Sequence, residues 1–184
     1  MNERTIRARD GRRYTVRPMT PADADTVLAG FSRLSPESHR SRFFAAGPRL
    51  APAVRKDLVE VDDRHIVLLA FAEDGQLVGG ARAVRHRDDP TTADVAVTVG
   101  DAYQRRGLGS RLLKLLGAQA LANGIDRLAG HVLVDNPGAR GLLIANGAMA
   151  TFAEPGVLAF EIPLGRHRTV TPAVAARRHL GLAS

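Results

Sequence analysis

The chain has 184 residues, 45% of them hydrophobic and 24% charged, which suits a single globular domain with one sizeable core. It contains no cysteine, so disulfides, thiolate metal sites and a cysteinyl acyl intermediate are excluded, and no metal is expected. The net charge is +7, with Lys56 and Lys114 the only lysines and aromatics at 4%; this gives a general attraction for anions but no base-stacking platforms, hence no specific nucleic acid as partner.

No apolar run is long enough to span a bilayer, so no membrane partner is expected. The first residues, MNERTIRARDGRRYTV, carry charge with no apolar stretch behind it, which is not the pattern of a secretory signal; a cytoplasmic protein is expected. Residues 1–13 read as an N-terminal arm, frayed or holding a first strand that ends at Arg9-Asp10-Gly11. Tyr14 to Arg17 reads as a short strand stopped by Pro18. Thr20-Pro21 then starts a helix running to about Leu34, with Asp23 and Asp25 in its first turn. Ser35-Pro36 opens a second short helix that ends at Phe43-Phe44, and Ala51 to Val61 suits a third.

Ile66 to Ala72 is a continuous apolar run and reads as a buried strand. Glu73-Asp74-Gly75-Gln76 is a turn signal, and Leu77 to Arg85 returns as the partner strand. After the polar loop Arg85 to Pro90, the run Thr92 to Val99 alternates. Asp94, Ala96 and Thr98 face one way; Val95, Val97 and Val99 face the other, on the buried side. A basic loop follows, Gln104-Arg105-Arg106-Gly107-Leu108-Gly109-Ser110. Leu108, Leu112, Leu115, Leu116 and Ala120 then form a helical stripe, closed by Asn123-Gly124.

Strand, glycine loop and helix in that order make a phosphate site. The first N–H groups of the helix lack intrahelical partners, and the helix dipole adds positive charge. Gly107 and Gly109 let backbone approach a bulky anion, and Arg105, Arg106 and Arg111 add full charges. Neither the dinucleotide fingerprint nor the nucleoside triphosphate loop fits these residues. Further on, Arg127 to Val134 reads as a strand, Gly138 to Ala145 as a helix, and Met149 to Ala153 with Val157 to Leu164 as a last hairpin. Gly165 to Arg168 reads as a linker, and Thr171-Pro172 starts a short helix in the C-terminal tail.

The spacing Gln104-x-x-Gly107-x-Gly109 after a valine-rich strand resembles the acetyl-CoA loop of the GNAT superfamily of N-acetyltransferases. The element order agrees with that family. The resemblance covers roughly Tyr14 to Leu164 and is most specific over Ala93 to Leu113. It implies an α/β (α+β) fold: a single domain, residues 14–164, with a mixed, mostly antiparallel sheet flanked by helices on both faces. The segment Leu34-Ser35-Pro36-Glu37-Ser38 resembles one in the bacterial protein lysine acetyltransferase branch, where the residues near Phe43 and Phe44 admit the acceptor.

The resemblance implies direct transfer of acetyl from acetyl-CoA to an amine, with a protein lysine or a small-molecule amine as acceptor. A non-catalytic acyl-CoA-binding module is the alternative, and homo-oligomerisation is left open. The family places pantetheine contacts on the backbone of Val97 and Val99. It places the pyrophosphate on Gln104, Arg105, Arg106, Gly107, Leu108, Gly109 and Ser110. Asn136 corresponds to an asparagine used beside the cofactor, and Arg140 lies one turn on, within reach of phosphate. Asp94 stands where the lysine branch carries a glutamate base and is one methylene shorter; Glu60, Glu73, Asp135 and His131 are the other titratable candidates. The tyrosine that many members place seven residues after the asparagine is Leu143 here, so a thiolate leaving group would take its proton from water.

Overall fold

The computed structural model describes residues 2–44 and 51–165. The short helix expected after Thr171 lies outside the described residues. Among the described residues eight strands form one sheet, side by side in chain order except that the eighth lies between the sixth and the seventh. Strands β1 (Arg4–Arg7) and β2 (Arg13–Pro18) open it as a hairpin. The residues expected as an arm therefore include an edge strand. Beyond it, the backbone N–H of Arg9 donates to the carbonyl of Arg106 at 2.8 Å, so the hairpin tip docks on the glycine loop.

A single 3-10 turn, Pro21–Asp23, precedes α1 (Ala24–Ser32), and α2 (Pro36–Phe43) and α3 (Pro52–Val59) follow. Asp23 does more than meet a helix dipole. Its carboxylate accepts from Arg17 at 2.8 and 2.6 Å and from the N–H and Oγ of Thr20, each at 2.8 Å. The Arg17 bonds hold its carboxyl far below the ordinary range, against the opposing push of burial. Asp23→Asn is expected to destabilise the fold by about 2 kcal/mol at neutral pH, since a charge-assisted bidentate pair is lost. A lowered folded-state pKa contributes stability that is fully present above the unfolded value of roughly 3.9 and is lost as pH falls from there through the folded value. Urea unfolding at several pH values checks this: the gap between parent and variant should close as pH falls below that value.

Strands β3 (His65–Phe71), β4 (Leu77–Arg85) and β5 (Thr92–Val99) form the antiparallel centre. Helix α4 (Leu108–Ala122) follows β5, then β6 (Arg127–Leu133), α5 (Pro137–Ile144), β7 (Met149–Glu154) and β8 (Val157–Pro163). The alternating pattern assigns the faces correctly. Val95, Val97 and Val99 pack, half-buried, on a core that includes Leu68, Leu108, Leu112, Leu116 and Leu128. On the opposite face Met19, Val27 and Leu69 form a smaller core with Phe31, Val67 and Phe71. Helices thus cover both faces, α4 on the first and α1 on the second.

Candidate active site: a parted strand pair beside a basic loop

Strands β5 and β6 run parallel and pair only at Thr92↔Arg127, Ala93↔Leu128 and Asp94↔Ala129. After Asp94 the pairing stops. At the other edge β5 stays bonded to β4 as far as Val99. His86 N–H donates to the Thr92 carbonyl and Gly100 N–H to the Val78 carbonyl, both at 2.9 Å. Even-numbered residues of β5 therefore turn their backbone toward β4. The odd ones, Val95, Val97 and Val99, turn theirs toward the widening gap. Sheet amides without a strand partner are what an extended, amide-bearing ligand needs.

The basic loop lies at the far end of β5. Arg105 has φ +59° and Gly107, which caps α4, has φ +83°. Both are left-handed, and two such residues flanking Arg106 coil the chain tightly before the helix. The N–H groups of Leu108 and Gly109 have no intrahelical carbonyl to reach and make no other backbone bond among the described residues. The two glycines differ in kind. At Gly107 the left-handed backbone conformation itself favours glycine. A Cβ added at Gly109 would point inward, 3.6 Å from Leu142 and Val99 and 3.8 Å from Val97, ordinary contact distances. Gly109 therefore borders the valine row, and an alanine there would fit.

Several loop side chains are engaged within the protein. Arg106 pairs with Asp10 at 3.2 Å, and its guanidinium lies 5.7 Å from the Tyr103 ring centre. Gln104 Nε2 donates to the Val99 carbonyl and to Ser38 Oγ, both at 3.1 Å. Ser110 Oγ lies 3.5 Å from Asn146 Nδ2. Asp101 accepts from the Ser35 N–H at 2.9 Å, from Ser35 Oγ at 2.8 Å and from Ser38 Oγ at 2.6 Å. Burial pushes the Asp101 carboxyl up, but the bonds from Ser38 and Ser35 outweigh it and hold it below the ordinary range. This cluster fastens the start of α2 to the loop. In the sequence Ser35 reads as the cap of a short helix that Ser38 supports, and nothing in the spacing ties them to a residue 66 and 63 positions away.

Asp94 sits where the strands part, on the face of β5 away from α4. Its side chain is 65% exposed, and its Oδ1 lies 3.1 Å from His86 Nε2. The hairpin register supplied a signal for this pair. Asp94 lies opposite Val84, so His86, two residues on along the same face, is its diagonal neighbour. Of the other candidates, Glu73 pairs with Arg13 at 3.2 Å and Asp135 with Arg40 of α2 at 2.9 Å. Glu60 is exposed at the end of α3, and His131 is exposed on β6.

At the exit of β6, Asn136 caps α5: its Oδ1 accepts from the Ala139 N–H at 2.9 Å. Arg140 donates from Nη1 to the Val134 carbonyl at 3.1 Å. Leu143 is buried in the main core, so no hydroxyl occupies that position.

On the Asp94 face of β5 the side chains of Ala96 and Thr98 line a cleft that is partly open to solvent. Phe31 and Leu34 form its opposite wall, with Arg42 and Arg82 also lining it. Phe43 packs on Phe31, ring centres 5.5 Å apart, close to Arg42 rather than on the cleft wall. The parted edge of β5 looks toward β6, and the cleft lies on the face of the same strand that carries Asp94.

This arrangement can be set beside known proteins. The profile of the Acetyltransferase (GNAT) family matches residues 31–147. An acetyltransferase of Mycolicibacterium smegmatis named Pat is 33% identical over 159 residues, 85% of this chain and 47% of that protein, so the chain spans about half of that relative's length. An acetyltransferase of Pseudomonas aeruginosa is 30% identical over 142 residues, covering 75% of this chain and 76% of the relative. The crystal structure of the GNAT domain of S. lividans PAT superposes with a TM-score of 0.81 at 30% identity, over 88% of this chain and 96% of that domain. A cAMP-binding acyltransferase from Mycobacterium smegmatis superposes with a TM-score of 0.63 at 29% identity, over 89% of this chain and 48% of its own. Acetyl-CoA is the co-substrate of GNAT acetyltransferases. The parted strands, the loop at the start of α4 and the family profile fall on the same stretch, and the chain belongs to the GNAT acetyltransferase family.

Proposed function

We propose that this chain transfers an acetyl group from acetyl-CoA directly to an amine, a protein lysine in the first instance. The observation that carries the reading is the opening of β5 from β6 after Asp94, beside a left-handed basic loop. The backbone of Val97 and Val99 would hold the pantetheine arm. The free N–H groups from Gly107 to Ser110 would hold the pyrophosphate, with Gln104 and Arg105 shaping the approach. Arg106 serves that loop at one remove, as a strut to Asp10. Asn136 has its Oδ1 committed to the cap, which leaves its amide group for the cofactor. Arg140 would meet phosphate on releasing Val134.

The bound thioester supplies an electrophilic carbonyl and a thiolate leaving group. An amine attacks it only as the free base, because an ammonium has no lone pair. Asp94, where the two strands part, would take that proton, directly or through one water. A backbone N–H facing the gap would steady the oxyanion. Initial rates of thiol release from acetyl-CoA, with lysine peptides and a panel of small amines, test the reading. Transfer to an amine above the hydrolysis background is expected. Tight acetyl-CoA binding with no transfer to any amine would favour the non-catalytic binding module.

Of the loop arginines, Arg105 is expected to act as charge rather than shape. Arg105→Gln with Arg106→Gln should weaken coenzyme A binding several-fold and flatten its dependence on salt, since screening acts on unpaired surface charge. Arg105→Gln alone should reproduce most of the flattening, because Arg106 is already paired with Asp10. Calorimetry from low to moderate ionic strength reads both effects. An unchanged slope would leave Arg105 facing solvent only.

A further inference from the structure

The cleft on the acceptor face contains one cation too many. Arg82 is accounted for: it bonds the backbone carbonyl of Asp57 and pairs with the Asp57 carboxylate at 3.1 Å. Arg42, on α2, lines the same cleft and pairs with no carboxylate among the described residues. Its Nε is shut off from solvent and bonds nothing. The adjoining Phe43 ring centre lies 5.0 Å from the guanidinium carbon. No acidic side chain remains to complete it, because all 19 aspartates and glutamates of the chain lie among the described residues. Burial and the nearby Arg82 charge push the Arg42 guanidinium down to about 10, with Asp57 offsetting only part of that. A guanidinium held in an apolar cleft without a counterion is costly, and a fork-shaped anion relieves that cost best.

We propose that the acceptor carries a carboxylate beside its amine, and that Arg42 receives that carboxylate in the cleft. The inference rests on the acetyl-transfer reading above and deepens it. A plain ammonium-bearing side chain entering the cleft meets Arg42 and Arg82 against a single partner carboxylate. An acceptor bringing its own carboxylate balances Arg42, while its amine can extend along β5, past Ala96, toward Asp94. Two sources offer that chemistry: an acidic residue flanking a lysine in a peptide, and the α-carboxylate of a free amino acid.

Paired acceptors test the proposal in the whole chain. One arm uses a lysine peptide with a neighbouring glutamate against the same peptide with glutamine; the other uses a free amino acid against its carboxamide. In at least one arm kcat/KM should favour the carboxylate form by roughly tenfold or more, with most of the difference in KM. Arg42→Gln should abolish the preference, and Arg42→Lys should keep part of it. Acetyl-CoA affinity should stay at the parental value in both variants, which also reports that they fold. A readout independent of turnover is calorimetry of the N-acetylated product with coenzyme A present, acid form against amide form. Preferential binding of the acid, lost in Arg42→Gln, supports the subsite even if no amine is turned over; that failure would strike the transfer reading instead. Equal use and equal binding of acid and amide forms in both arms would overturn the proposal. So would a preference that survives in Arg42→Gln.

Discussion

Gly107→Val is expected to lower coenzyme A affinity by roughly tenfold or more while the sheet stays folded. At φ +83° a β-branched residue is held in the left-handed region, at a cost of about 1–2 kcal/mol. The loop relieves that strain by rotating, and the N–H groups at the start of α4 then cease to converge. The added Cβ would also come within 2.9 Å of Arg9 Cγ, but that flexible side chain can move aside, so strain is the larger effect. Gly107→Asn separates the two causes, because asparagine tolerates the left-handed region yet still brings a Cβ toward Arg9. Its affinity should lie near the parent's. Gly109→Ala should be mild, since its Cβ enters at ordinary contact distance. Calorimetry with coenzyme A, beside a thermal melt of each variant, reads these outcomes. Parental affinity in Gly107→Val would remove the loop from the cofactor site.

The strand, loop and helix around this glycine were legible in the sequence because each is a local pattern. Val95, Val97 and Val99 repeat with the period of a strand, and Leu108, Leu112 and Leu116 repeat with that of a helix. Gly107 falls at the turn between them. A period of two also fixed which side of β5 would carry Asp94. The parting of β5 from β6 was not legible there, because nothing in either strand's composition stops their pairing after Asp94↔Ala129.

Side-chain bonds across the fold were not legible. Asp101 holds the first turn of α2 through Ser35 and Ser38, 66 and 63 positions earlier. Arg106 looked like a free phosphate ligand, yet Asp10, 96 positions earlier, holds it. These pairings depend on how the β1–β2 hairpin and α2 pack around the loop. No one-dimensional period carries that information. Arg42 is the converse case: from the sequence it is one arginine among many, and only the cleft around it reveals a missing counterion.

Replacing Asp94 by asparagine is expected to leave acetyl-CoA affinity in place and to slow transfer to the amine by ~10²-fold or more, the usual yield of a positioned general base. Asparagine keeps the shape and fits the same strand position, so binding along Val97 and Val99 should not change. What it loses is the capacity to accept a proton. His86 sharpens the test. Its Nε2 lies 3.1 Å from Asp94 Oδ1, so an Nε2–H would donate to the carboxylate and fix its orientation. His86→Ala should therefore cost far less than Asp94→Asn if the carboxylate itself is the base. Equal losses in the two variants would mean that the pair works as a unit, with the imidazole extending an aspartate one methylene shorter than the family's glutamate. Asp94→Glu restores that length and should keep or raise the rate, because a side chain already 65% exposed has room to grow. Affinity from calorimetry and single-turnover rates on the best amine give the two quantities separately. If Asp94→Asn transfers acetyl at the parental rate, the carboxylate is a bystander paired with His86, and water alone removes the proton.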